Sequence, residues 1–217
     1  MNTLYEQILQ EKIIVIVRGT YGEDLLTLSN ALYAGGIRFM EVTFDQKDPA
    51  CLEKTAQAIA MLTAAHQGRM SFGAGTVLTE AQADAADAAG AKFIISPNTD
   101  PDVIRRTKEL GLLSIPGAMT PTEILYAHKL GADIVKLFPA ATLGKTYVKD
   151  ILAPISHVKM IATAGISEEN FADFLKLGLA GAGISGRLTD KKLIAQRDWD
   201  EFTRRAQNFT KIARETL

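Results

Sequence analysis

Residues 134–140 read IVKLFPA, an apolar run of strand length with a lysine in its middle. A buried, unpaired ammonium is costly, and such a group escapes by giving up its proton. Side chains alternate along a strand, so Lys136 shares a face with Ile134 and Phe138, while Val135 and Leu137 point the other way. The fold follows from asking what kind of sheet would hold such a strand.

Comparable runs occur on both sides of it: IIVIVR from Ile13, FMEVTF from Phe39, SFGAGT from Ser71, FIISP from Phe93, LSIPGA from Leu113, KMIATAG from Lys159 and GAGISG from Gly181. With IVKLFPA they make eight strands, starting about 24 residues apart on average, each followed by a stretch of helical periodicity. Helix starts are marked by Thr79-Glu80-Ala81-Gln82 and Thr120-Pro121-Thr122-Glu123, which read as capping boxes, and by Asp100-Pro101. Ser167 ahead of Glu168 and Glu169 reads as one more first turn, and Gly35, Gly90, Gly111, Gly131 and Gly178 stand where helices end. Eight strand–helix units predict a parallel sheet closed into a (β/α)8 TIM barrel, one domain over residues 1–217. An N-terminal helix precedes it, and a C-terminal helix carrying Trp199, Phe202 and Phe209 closes it.

Composition narrows the functional classes. The formal net charge is −1 over 217 residues and there is no basic stripe, which argues against nucleic acid or an anionic membrane as partner. No apolar run reaches the roughly 18 residues of a membrane span. The opening MNTLYEQILQEK lacks the apolar core of a signal peptide, so a cytoplasmic location is expected. The single cysteine, Cys51, rules out an internal disulfide and reads as a helix-packing residue. His66, His128 and His157 have no ligand spacing, and GAGIS is not a dinucleotide fingerprint.

The same alternation applied to the second strand puts Phe39, Glu41 and Thr43 on one face and Met40, Val42 and Phe44 on the other. The apolar faces suit the helical layer, so Glu41 and Lys136 point into the barrel. Arg18 ends the first strand and Thr76 the third, and active sites of this fold lie at the C-terminal ends of the strands. A structural Lys136–Glu41 ion pair is one reading. The other is chemical: burial and a nearby Arg18 lower the pKa of Lys136 and expose a free amine, which attacks a carbonyl to form a Schiff base. The imine then serves as electron sink for cleaving an adjacent C–C bond, with Glu41 moving the protons.

GGIRFMEVTF, GAGTV, FIISP, IPGAMTPTE and VKLFPA, in this order on successive strands, resemble the class I aldolases that cleave 2-keto-3-deoxy-6-phosphogluconate (KDPG) or 4-hydroxy-2-oxoglutarate (KHG). The likeness runs from about Ile13 to Leu188. It implies Lys136 as Schiff-base lysine and Glu41 as general acid/base, with Thr76 on the pyruvate carboxylate and Pro97 and Phe138 lining the pocket. It also implies a homotrimer that needs no metal or organic cofactor and acts on a small 2-oxo acid.

The chain departs from the family pattern in three places. An arginine that many members carry four residues after the glutamate is here Asp45, leaving Arg18 as the candidate positive charge. The family's TGG is Thr163-Ala164-Gly165, and its GS turn is reordered as Ser185-Gly186 before Arg187. Thr163, Gly165, Ser185 and Gly186 are thus the candidates for the distal, phosphate half of the site, where backbone amides and glycine turns hold anions. Two other functions are open from sequence: a sugar-phosphate isomerase or epimerase in which Lys136 makes no bond, and a catalytically silent barrel that binds a keto acid.

Overall fold

The computed structural model describes residues 3–216. Its first half runs α1 (Leu4–Glu11), β1 (Ile13–Val17), α2 (Gly22–Ala34), β2 (Phe39–Thr43), α3 (Cys51–His66), β3 (Ser71–Gly75), α4 (Glu80–Ala88), β4 (Phe93–Ile95) and α5 (Pro101–Glu109). The second half is β5 (Leu113–Ile115), β6 (Gly117–Ala118), α6 (Pro121–Lys129), β7 (Val135–Leu137), α7 (Ala140–Leu152), β8 (Met160–Thr163), α8 (Phe171–Lys176), β9 (Gly181–Ile184), α9 (Lys191–Gln196) and α10 (Trp199–Glu215).

All pairings are parallel, in the order β5-β4-β3-β2-β1-β9-β8-β7-β6. The ends of this order meet in the chain, because β5 and β6 are one stave split at Pro116. β5 pairs with β4 and β6 with β7, so the barrel closes with eight staves in nine segments. Proline has no N–H for the ladder, and past it Gly117 turns to donate to the Asn98 carbonyl at 3.2 Å. A Cβ at Gly117 would lie 2.2 Å from the Pro97 carbonyl oxygen, so only glycine allows the two segments this approach.

Two apolar layers follow from the alternation. Val135, Leu137, Met40, Val42 and Phe44 pack outward against the helices. Ile14, Phe39, Phe93, Ile95, Ile115, Ile134 and Ile161 fill the lower barrel, and Ile8, Leu4, Tyr5 and Leu9 of α1 plug it from below. Thr3 and Glu6 cap α1 reciprocally. α10 closes the helical ring between α8 and α2: Gly35 packs so closely on it that a Cβ there would lie 2.4 Å from the Ala206 Cβ. Lys12 ties the far end of α10 down, donating to the carbonyls of Ala213 and Thr216 at 2.8 and 2.7 Å.

Most caps follow their residues. Thr120 and Glu123 form a full capping box and Asp100 accepts from two amides of α5. At Thr79 the box is half made, because the Gln82 side chain accepts from the Leu78 amide instead of reaching back to Thr79. Residues 168–170 form a turn and α8 begins only at Phe171, so the helical first turn expected after Ser167 is displaced by three residues. There the Asn170 side chain accepts from the Ser167 amide and donates to the Gly165 carbonyl, closing the turn on itself. Cys51 opens α3 and packs on the outer core.

His66 is fully buried between Tyr33 and Phe72, with its Nε2 2.8 Å from Ser29 Oγ. Burial, helped by the Arg69 charge, holds its pKa below the ordinary histidine value. Below about pH 6.5 the unfolded chain therefore holds more protons at this site than the folded one, and stability falls with pH until the folded ring itself titrates. Between pH 7 and 5 the wild type should lose more stability than His66→Gln, by up to about 1.4 kcal/mol per pH unit. Other titrating groups are common to both proteins and cancel. Unfolding midpoints measured across this range check it; parallel profiles would refute the role given to His66.

Candidate active site

The C-terminal ends of the strands open into a cavity of about 560 Å³. β7 places Lys136 in its floor and β2 places Glu41 opposite; they are 7% and 1% exposed. Room for the carboxylate comes from β3, where a Cβ at Gly75 would lie 2.5 Å from Glu41 Oε1. On the walls stand Arg18 and Thr76, which follow β1 and β3, with Pro97 after β4 and Phe138 after β7. Thr163 and Gly165 come from the end of β8, Ser185 and Gly186 from the turn after β9. The ten residues singled out from the sequence thus line one space. Ile16, Ala164, Ile166, Ser167, Gly183 and Arg187 complete it.

Lys136 and Glu41 influence each other's charge but share no direct hydrogen bond or ion pair. Burial lowers the pKa of the amine; Glu41 opposes that shift and the Arg18 cation adds to it. The amine lies 5.1 Å from the centre of the Phe138 ring. Burial pushes the Glu41 carboxyl up to about 7, against the pull of Lys136 and Arg18. The pair therefore offers an amine that gives up its proton more readily than an ordinary lysine and, near neutral pH, a carboxyl poised between acid and base. Glu41 Oε2 and Thr163 Oγ1 are buried without a hydrogen-bond partner in the protein, an expensive state unless something in the cavity is to be bound.

Backbone geometry shapes the rim. Thr76 has φ +55°, unfavourable for a β-branched residue. Arg18 Nη2 donates to its hydroxyl at 3.2 Å and Gln46 Nε2 to its carbonyl at 2.8 Å, and Gln46 is held in turn by Gln82 at 3.0 Å. Asp45 accepts from the Lys47 amide and does not reach the cavity; Arg18 does. Ala164 and Gly165 have φ +75° and +73°, so the departure from TGG leaves an alanine in the left-handed region. A Cβ at Gly165 would lie 2.5 Å from the Ala141 Cβ. Gly165→Ala should therefore lower stability by about 1–3 kcal/mol. Ala164→Gly should leave it unchanged or raise it by up to about 1 kcal/mol, left-handed strain relieved against backbone entropy lost. Denaturant midpoints measure both; a Gly165→Ala protein as stable as wild type would be the contrary result.

Among the described residues, no three His, Cys, Asp or Glu side chains gather as a metal site, and no helix is long and apolar enough to cross a membrane.

A parallel barrel with an amine and an acid buried together beneath its C-terminal mouth has the layout of a pyruvate-dependent class I aldolase. Comparison with known proteins gives the same class. The profile of the aldolase family described as KDPG and KHG aldolase matches residues 4–205. A 2-dehydro-3-deoxy-phosphogluconate aldolase of Treponema pallidum is 35% identical over 215 residues, covering 98% of each chain. A 2-dehydro-3-deoxy-6-phosphogalactonate aldolase of Escherichia coli is 32% identical, over 81% of this chain and 83% of its own. A crystal structure of KDPG aldolase from Legionella pneumophila, with pyruvate captured at low pH as a covalent carbinolamine intermediate, superposes with a TM-score of 0.85 at 28% identity, covering 95% of this chain and 98% of that one. The chain belongs to the KDPG and KHG aldolase family and is a lyase, a class I aldolase.

Proposed function

We propose that the enzyme cleaves a 4-hydroxy-2-oxo acid to pyruvate and an aldehyde, with Lys136 as nucleophile and Glu41 as proton carrier. The observation that carries this is the pair itself: an amine held below its ordinary pKa and a carboxyl raised to about 7, buried in one cavity. The free amine of Lys136 attacks C2 of the substrate, and the carbinolamine, taking up one proton from solvent, loses water to leave a protonated imine. Glu41, ionised, takes the proton of the C4 hydroxyl. The C3–C4 electron pair moves into the imine, giving an enamine and releasing the aldehyde. Glu41 returns the proton to C3, and water hydrolyses the protonated imine to pyruvate and the free lysine, releasing to solvent the proton taken up at imine formation. Arg18 and Thr76, joined at the rim, are placed to hold the substrate carboxylate, and Pro97 and Phe138 to cover its apolar side.

The substrate class comprises KDPG, KHG and related 2-keto-3-deoxy sugar acids. The proposal includes a homotrimer, as the family resemblance implies, and a cytoplasmic location, as the sequence leads one to expect. Leu78, Met119 and Phe138, exposed just past β3, β6 and β7, offer apolar surface for its contacts. Reduction with borohydride in the presence of pyruvate tests the chemistry: an imine at Lys136 becomes a stable adduct found by peptide mass. An isomerase or a silent barrel gives none.

A further inference from the structure

The distal rim of the cavity, built by the turns after β8 and β9, is the part of the site furthest from the family pattern. Arg187 is its cation, and the guanidinium is already engaged. Its Nε donates to Glu168 Oε2 at 2.9 Å and its Nη2 to Glu168 Oε1 at 3.2 Å. This fork-to-fork pairing is the geometry in which an arginine would also take a phosphate. The Glu168 side chain is only 18% exposed, and the Arg187 carbonyl is fixed by Arg205 at 3.0 Å. The two serine hydroxyls and the Ser167 amide at this end are engaged as well. Ser167 Oγ donates to Glu169 Oε2, the Ser167 amide donates to Asn170 Oδ1 at 2.9 Å, and Ser185 Oγ lies 3.4 Å from Thr189 Oγ1.

Charge points the same way. Arg187 brings one positive charge to the rim against two negative from Glu168 and Glu169. The Ser167 hydrogen bond holds the Glu169 carboxyl below its ordinary pKa, and the Glu168 hydrogen bond raises Arg187. A terminal phosphate brings about −1.5 to −2 of its own near pH 7. To engage the Arg187 guanidinium it must break a bidentate pair and then sit beside the carboxylate it displaced.

We propose that Glu168, by holding Arg187 across the mouth of the cavity, is a specificity-determining residue that selects against a phosphorylated aldehyde half, so that the preferred substrate is a 2-keto-3-deoxy sugar acid ending in a hydroxyl. This rests on the aldolase reading above. A carboxylate that only braced two turns would change stability, and activity on all substrates alike. A selecting one changes the ratio between substrates.

The test is kcat/KM for KDPG and for its unphosphorylated counterpart, in wild type, Glu168→Gln and Glu168→Gln/Arg187→Gln. In Glu168→Gln the ratio of phosphorylated to unphosphorylated should rise about fivefold or more, the least that one unit charge a few ångströms away is worth under full water screening. Removing Arg187 as well should cancel the rise. A smaller rise overturns the role of Glu168, and a rise that survives loss of Arg187 overturns the part given to the guanidinium. A wild-type preference for KDPG above about 10³ overturns the proposal outright. Borohydride trapping with pyruvate on the same wild-type protein separates the two levels: with no adduct the aldolase reading fails, and with an adduct only the rim assignment is in question.

Discussion

Lys136→Met abolishes cleavage of every 2-oxo acid substrate and leaves the fold intact. Methionine matches lysine in length and lacks the charge whose burial opposes folding, so the unfolding midpoint should equal or exceed that of wild type. Among the described residues lining the cavity there is no other amine: the remaining cations, Arg18 and Arg187, are guanidiniums that stay protonated at any working pH. Turnover should fall by at least about 10³, the difference between covalent catalysis and what binding alone leaves. Borohydride with pyruvate should no longer label the protein. A variant that keeps more than a trace of wild-type activity would mean that no imine forms at this residue.

Glu41→Gln separates imine formation from proton transfer. The amide keeps the shape that Gly75 accommodates, and at Oε1 a carbonyl can face the same neighbour, but it cannot take up or return a proton. Pyruvate adducts should still be trapped, while turnover drops by about 10²–10⁴, the usual share of a positioned acid–base group. Exchange of pyruvate methyl protons into heavy water should fall with it; undiminished exchange would assign the proton transfers to another base. Because the wild-type carboxyl is raised to about 7, cleavage, which needs it ionised, should weaken as pH drops through neutrality. In Glu41→Gln that limb should vanish.

The barrel and the pair at its centre were legible because they rest on local rules. The alternation that turns Val135 and Leu137 outward turns Lys136 inward, and the same holds for Glu41 between Met40 and Val42. The distal rim was less legible. Ser167 looked like a helix start, but Asn170 captures its amide and closes a turn instead. Ile16 lines the cavity without any chemical signal, since one isoleucine in IIVIV reads like the next, and Gly183 lines it too. The signal for Gly183 was a glycine inside a strand: a Cβ there would crowd Thr163 Oγ1 at 2.9 Å and Ile16 at 3.0 Å. Pro116 was visible, but that it splits a stave in two was not.

The sequence by itself determined the order of elements, the face each strand turns inward, and the residue types at the heart of the site. Periodicity and capping act over a few residues, and those few residues carry them. Only the tertiary structure decided the protonation of Glu41 and Lys136, because the burial and charges that set it come from strands far apart in the chain, β1, β2 and β7. It also decided that Arg187 meets Glu168, 19 positions away, and that the Ser167 hydroxyl is already taken by Glu169. Whether a guanidinium is free or paired depends on what the fold brings within 3 Å of it, and no local pattern records that.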